Sequence, residues 1–243
     1  MRNLKLIIEY DGTNYSGFQR QSNGNTVQEE LEKAISKIVT HNIILYCAGR
    51  TDAGVHANCQ VCNFFTSSKI SESGLNISLN SLLPTDISCH EVSEVDKTFN
   101  ARYSAKSRRY QYFILNREAK SAIKGRYAWH VRKQLDLNEI QKASSAFIGT
   151  QDFRAFSHAK EDEITIRTVT SMTINKEEDM IIIDISANSF LRSMVRNVIG
   201  TLVEVGMGKR SAETIKEIID SKDRRKAGMC APAKGLFLKS VEY

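Results

Sequence analysis

Apolar and polar residues alternate over residues 4–10, which predicts a strand. The period then changes: Val27, Leu31, Ala34, Ile35 and Ile38 fall on one stripe of a helix over about residues 26–39. Thr26 and Glu29 stand at capping-box spacing and set its start. Strands follow at about residues 43–48 and 59–65, then a helix at about 74–82 stopped by Pro84, then a strand at about 86–95. The second half repeats the order. A strand covers 109–115, and Leu137, Ile140 and Phe147 mark a helix over about 136–148. Strands at 164–175 and 180–187 flank an acidic turn, and helices at about 189–205 and 211–221 precede a last strand at 236–243. Each half reads βαββαβ, a split-βαβ, ferredoxin-like unit. The expected fold is α+β, with halves at residues 1–104 and 105–243 forming one broad antiparallel sheet, helices on one side and a central cleft along it.

Composition narrows the class. With 243 residues, 41% of them hydrophobic, the chain has enough apolar surface for one large core or two small ones. The apolar run at the start is too short for a signal-peptide core, and no stretch reaches membrane-span length, so a cytoplasmic protein without a membrane partner is expected. Five cysteines, an odd number, are expected to be reduced thiols. The 34 basic and 28 acidic residues leave a net charge of +6. Basic residues gather at 102–109, 117–133 and 222–226, while acids concentrate at 161–163 and 177–179, a separation that favours a polyanionic partner.

The densest chemistry lies in Gly49-Arg50-Thr51-Asp52-Ala53-Gly54-Val55-His56-Ala57, a loop between expected strands that sets a guanidinium, a hydroxyl and a carboxylate between glycines. On its own this pattern is equally a tight turn capped by Asp52, with Arg50 in a surface ion pair. Residues 10–21 combine glycines, Tyr10, Tyr15, Phe18, Gln19 and Gln21, a mixture suited to stacking on bases and bonding to sugars and phosphates, although alone it reads more readily as a glycine-punctuated surface loop. Tyr110 and Tyr112 share one face of the strand that opens the second half, where packing is the commoner use of tyrosine and base stacking the alternative. Helix 189–205 carries Leu191, Met194, Val195, Val198 and Leu202 on its buried stripe, with Arg192 and Arg196 beside it as phosphate contacts or solvated charges. His56 is either a substrate contact or a brace for the turn. Cys59 and Cys62 have half a zinc spacing but sit in a strand, where residues three apart face opposite sides, so no metal is expected. Gly206-Met207-Gly208-Lys209-Arg210 lacks the upstream glycine and the Ser/Thr of a phosphate loop.

Taken together, these segments resemble the tRNA pseudouridine synthase A family over essentially the whole chain. The likeness rests on residues 10–21, the 49–57 loop with Gln60-Val61, residues 99–112, Phe190-Leu191 with Met194-Val195-Arg196-Asn197 and Gly200-Thr201-Leu202, and Ala227-Gly228 with Ala231-Pro232-Ala233 and Gly235-Leu236. The resemblance implies that Asp52 is the catalytic aspartate, Arg50 an active-site arginine and Tyr110 the tyrosine at the target base. His56, Gln19 and Arg196 are further expected substrate contacts. It also implies isomerisation of uridine to pseudouridine at positions 38, 39 and 40 of the tRNA anticodon stem-loop, by a homodimer, with no cofactor and no metal. The target nucleotide is expected to flip out of its stack, and Arg50 to keep Asp52 ionised. The chain departs from the pattern at Gln151, where many relatives carry histidine, and at Cys59, where a small residue is common. The competing expectation is a non-catalytic RNA-binding protein that uses the same sheets as a platform. A methyltransferase fits less well, because no glycine-rich loop after the first strand is placed to cradle a nucleotide cofactor.

Overall fold

The computed structural model describes residues 1–160 and 162–243; Glu161, part of the acidic run at 161–163, lies outside the described residues. In chain order the elements are β1 (Arg2–Tyr10), α1 (Val27–Val39), β2 (Tyr46–Cys47), β3 (His56–Thr66), α2 (Glu72–Leu82), β4 (Ile87–Val95), β5 (Ser107–Asn116), β6 (Trp129–Val131), α3 (Leu137–Ser145), β7 (Gly149–Asp152), β8 (Ile166–Glu177), β9 (Met180–Ala187), α4 (Met194–Gly206), α5 (Thr214–Ser221) and β10 (Leu236–Glu242). The chain divides into two compact units, Met1–Lys106 with Phe237–Tyr243, and Ser107–Leu236. The closing strand, which the repeat assigns to the second half, thus belongs almost entirely with the first unit. The α+β class and the mainly antiparallel pairing are as expected.

In the first unit β1 is central, antiparallel to β3 on one side and to β4 on the other. Leu4, Leu6, Ile8 and Tyr10 all face the core, as alternation demands. The outer edge of β3 is shared. Its Cys62 and Asn63 pair with β2, and its His56 and Ala57 pair in parallel with Phe237 and Leu238 of β10. Helix α1 starts as its sequence requires, with the Thr26 hydroxyl accepting from the Glu29 N–H. The strand expected at 43–48 shrinks to Tyr46–Cys47 because the Leu45 N–H donates to the carboxylate of buried Glu32, not to a neighbouring strand. That carboxylate also accepts from Gln28 Nε2 at 2.9 Å.

In the second unit β9 lies between β5 and β8, all antiparallel, and β7 extends the β8 edge. Two short strands were not expected, β6, parallel to β5, and β7. Each has at most four residues, too few to display a period. Helix α4 begins at Met194, later than expected, because Ser193 takes a left-handed conformation (φ 59°) and residues 191–194 form a turn closed by the Met194 N–H on the Leu191 carbonyl. Its apolar stripe is buried as expected. After α4, Gly208 turns with φ 71°, and the N–H groups of Met207, Gly208 and Lys209 all donate back to carbonyls of the helix. The glycine-lysine run is therefore the C-terminal end of a helix, not the N-terminal end that binds phosphates.

Candidate active site

The 49–57 loop is built to hold Asp52 in one place. Buried Gln60, on β3, clamps the first residue from both sides: the Gly49 N–H donates to its Oε1 at 3.3 Å, and its Nε2 donates to the Gly49 carbonyl at 2.6 Å. Thr51 is buried, its hydroxyl 2.8 Å from the Tyr10 hydroxyl. Asp52 opens a four-residue turn, since the Val55 N–H donates to its carbonyl at 3.1 Å while Gly54 adopts φ 75° at the third position. The tight-turn reading and the site reading of this loop are therefore compatible. The turn leaves Asp52 partly exposed and Arg50 exposed.

Residues 10–21 wrap this loop through their backbone. The Phe18 N–H donates to the Thr51 carbonyl at 3.1 Å, and the Gly54 N–H donates to the Tyr15 carbonyl at 3.3 Å. Such closeness needs glycine. A Cβ on Gly12 would lie 2.0 Å from the Val55 oxygen, and one on Gly17, at φ 106°, would lie 2.9 Å from the Thr51 oxygen. Beyond the turn, His56 is only 1% exposed and stacks on Phe237 with ring centroids 4.6 Å apart. Its Nδ1 lies 3.0 Å from both the Gly12 nitrogen and Asp11 Oδ1. His56 thus braces the loop, one of the two readings its sequence position allowed. Asp86 fixes the same segment from the other side by accepting from the Tyr15 hydroxyl at 2.5 Å. Burial, reinforced by that carboxylate, raises the Tyr15 phenol well above its ordinary value, so it stays a proton donor. Gln19 is exposed.

Tyr110 and Tyr112 do share one face of β5, and both are buried. Tyr110 meets the Phe190 ring edge-on at 5.1 Å. Tyr112 donates to the Pro232 carbonyl at 2.8 Å, and burial raises its phenol too. Arg196 is half-buried, and its Nε donates to the Ala231 carbonyl at 2.8 Å while the Ala231 N–H returns a bond to the Arg196 carbonyl. This arginine ties the 227–235 segment to α4. The approach is closest at Gly200, where a Cβ would stand 1.7 Å from the Met229 oxygen. Gln151, at the departure from the family pattern, donates to the Ala146 carbonyl at 2.7 Å.

Three supports of the first unit were not foreseen: the Gln60 clamp, Glu32 and Asn63. Each is a polar side chain set in an apolar strand or on an apolar helix stripe, and that misfit is the signal that marks them in the sequence. Among the described residues no group of three or more histidine, cysteine or acidic side chains is arranged to hold a metal. Burial raises the thiols of Cys62 and Cys89, the latter to about 12, so they are poor metal ligands and poor nucleophiles. No helix among the described residues is long and apolar enough to cross a membrane.

A family model described as tRNA pseudouridine synthase matches residues 6–104 and 143–243. A protein of Thermoanaerobacter sp. (strain X514) called tRNA pseudouridine synthase A is 48% identical over 244 residues, covering 100% of both chains. Relatives from Acetivibrio thermocellus, of the same name, and Clostridium perfringens (strain 13 / Type A), called tRNA pseudouridine synthase A 2, are each 46% identical with the same full coverage.

Proposed function

The chain belongs to the tRNA pseudouridine synthase family, an isomerase family, and from that premise we propose that it converts uridines 38, 39 and 40 of the tRNA anticodon stem-loop, with Asp52 as nucleophile. The observation that supports this most is the placement of Asp52, a partly exposed carboxylate on a turn immobilised by Gln60, Thr51, His56 and two glycine contacts. A fixed carboxylate loses little entropy on attack.

The chemistry needs no second substrate. The carboxylate attacks C1′ of the flipped-out nucleotide, the C1′–N1 bond breaks, and its electron pair leaves on the uracil ring. The ring turns, C5 attacks C1′, and the carboxylate departs with the pair that bound it. Loss of the C5 proton and protonation of N1 restore the aromatic ring, so atoms and charge balance. Arg50, exposed beside Asp52, steadies the charge of the nucleophile and takes the room left by the flipped base. Tyr110 stacks on the target base and assists removal of the C5 proton. The enzyme works as a cytoplasmic homodimer without metal or cofactor.

Unmodified tRNA incubated with purified protein tests this directly. Wild type is expected to form pseudouridine at positions 38–40 with no added small molecule. Asp52→Asn is expected to bind the tRNA while turnover falls by at least about a thousandfold, the scale on which loss of a covalent nucleophile is felt. Turnover near wild type in Asp52→Asn removes the nucleophile role. Tyr110→Phe is expected to keep binding and lose turnover; unchanged turnover leaves that residue stacking alone.

A further inference from the structure

Tyr103 is the most conspicuous surface aromatic of the first unit. The residue is 79% exposed, and the guanidinium of Arg102 lies over its ring at 5.6 Å from the centroid. The backbone beneath it is hydrogen-bonded. The Asn100 side-chain oxygen accepts from the N–H groups of both Arg102 and Tyr103, at 2.9 and 3.2 Å, and the Ser104 N–H closes the turn on the Asn100 carbonyl at 2.9 Å.

Just before the pair, Ala101 is completely buried. Its N–H donates to buried Asn63 at 2.8 Å, and its carbonyl accepts from the Tyr243 hydroxyl at 2.9 Å. Phe99 and Tyr243 pack ring to ring at 4.9 Å below it. Ala101 also shares one small apolar cluster with Val61 and with Ala48, the residue that leads into the Gly49–Arg50–Thr51–Asp52 loop. The exposed pair and the catalytic loop therefore spring from one rigid base.

We propose that Arg102 and Tyr103 form a stacking platform for an unpaired base of the tRNA, presented from the root of the Asp52 loop. The proposal rests on the tRNA-modifying reading above and goes beyond it by assigning a substrate contact outside the reacting residues. A π-face suits any base, so the platform gives affinity and register without demanding a sequence, and Arg102 adds charge toward the phosphates. Holding the ring rigid before binding lowers the entropy lost when a base lands on it.

The test measures equilibrium binding of an unmodified tRNA transcript to the full-length protein, with thermal melting and sedimentation run beside it. Tyr103→Ala is expected to weaken binding by roughly 5- to 100-fold, the range for removing one stacked base, at unchanged melting temperature and sedimenting mass. Tyr103→Phe is expected to stay within about twofold, because the ring does the stacking. Arg102→Ala is expected to lower the slope of log affinity against log salt by about one, while Tyr103→Ala leaves that slope unchanged. Wild-type binding in Tyr103→Ala overturns the platform. Equal losses in the Ala and Phe variants mean a hydroxyl hydrogen bond and also overturn it. A lower sedimenting mass in Tyr103→Ala assigns the surface to contact between two copies of the chain. Pseudouridine formation by wild type is scored in parallel, so failure of the enzymatic reading is seen there, separately from any outcome at Tyr103.

Discussion

The geometry of Asp52 depends on residues that carry no chemistry of their own. Gly12 is the sharpest case, since a single methyl group at its Cα would meet the backbone oxygen of Val55 at 2.0 Å, and backbone has no flexible end to swing aside. Gly12→Ala is expected to cost on the order of 2 kcal/mol of stability and to lower turnover further by shifting the turn that bears Asp52. Gly125→Ala is the control, because a Cβ there meets nothing within 4 Å. Melting curves and single-turnover rates for the two variants check this; equal behaviour would mean that the turn yields freely. The Arg50–Thr51–Asp52 signature is plain in the sequence. That Gln60 clamps its start is not plain, because this depends on a distance between β3 and the loop that linear spacing does not contain.

Among the elements, α4 organises the second unit. Its Glu204 receives the Arg210 guanidinium and the Met229 N–H, pinning the segment that follows α5. Burial alone would raise this carboxyl, but the hydrogen bonds from Arg210 and the Met229 backbone outweigh it, and the group sits below the ordinary carboxylate value. A carboxyl lowered by folding stabilises the native state above its unfolded value, and that contribution is lost as pH falls through the folded value. Glu204→Gln is therefore expected to lower stability by about 1 kcal/mol at neutral pH, with the difference from wild type vanishing as both are taken toward acid. Denaturant titrations at a series of pH values read this out, and a pH-independent difference would point to packing instead. The element boundaries misread from sequence at β2 and α4 have two causes. The Leu45 N–H is captured by Glu32, and Ser193 takes a left-handed conformation, so side-chain capture and a single dihedral override the local hydrophobic period at β2 and α4.

For the whole molecule, the decisive quantity is charge. The net +6 is distributed in runs, yet several of the basic residues are already engaged: Arg109 with Asp184, Arg117 with Asp179, and Arg108 with the Asn188 carbonyl. The run at 102–109 therefore offers fewer phosphate contacts than its composition suggests. Binding of tRNA is still expected to weaken by at least about tenfold between 50 and 200 mM salt, the response of a protein that releases a few counterions. Fluorescence titrations across that range check it, and a salt-independent affinity would exclude phosphate contacts as the main source of binding.

The sequence by itself determined the α+β class, the βαββαβ order of the first half, the buried stripes of α1 and α4 and the Arg50–Thr51–Asp52 loop, because periodicity, capping residues and glycine punctuation are local properties of the chain. Tertiary structure alone decided that Gln60, Glu32 and Asn63 serve as braces, how the edge of β3 is shared between β2 and β10, and that Arg196 ties backbone at Ala231. Those outcomes follow from burial, which leaves each polar group to find a partner among residues far away in sequence, and such partners exist only once the chain has folded.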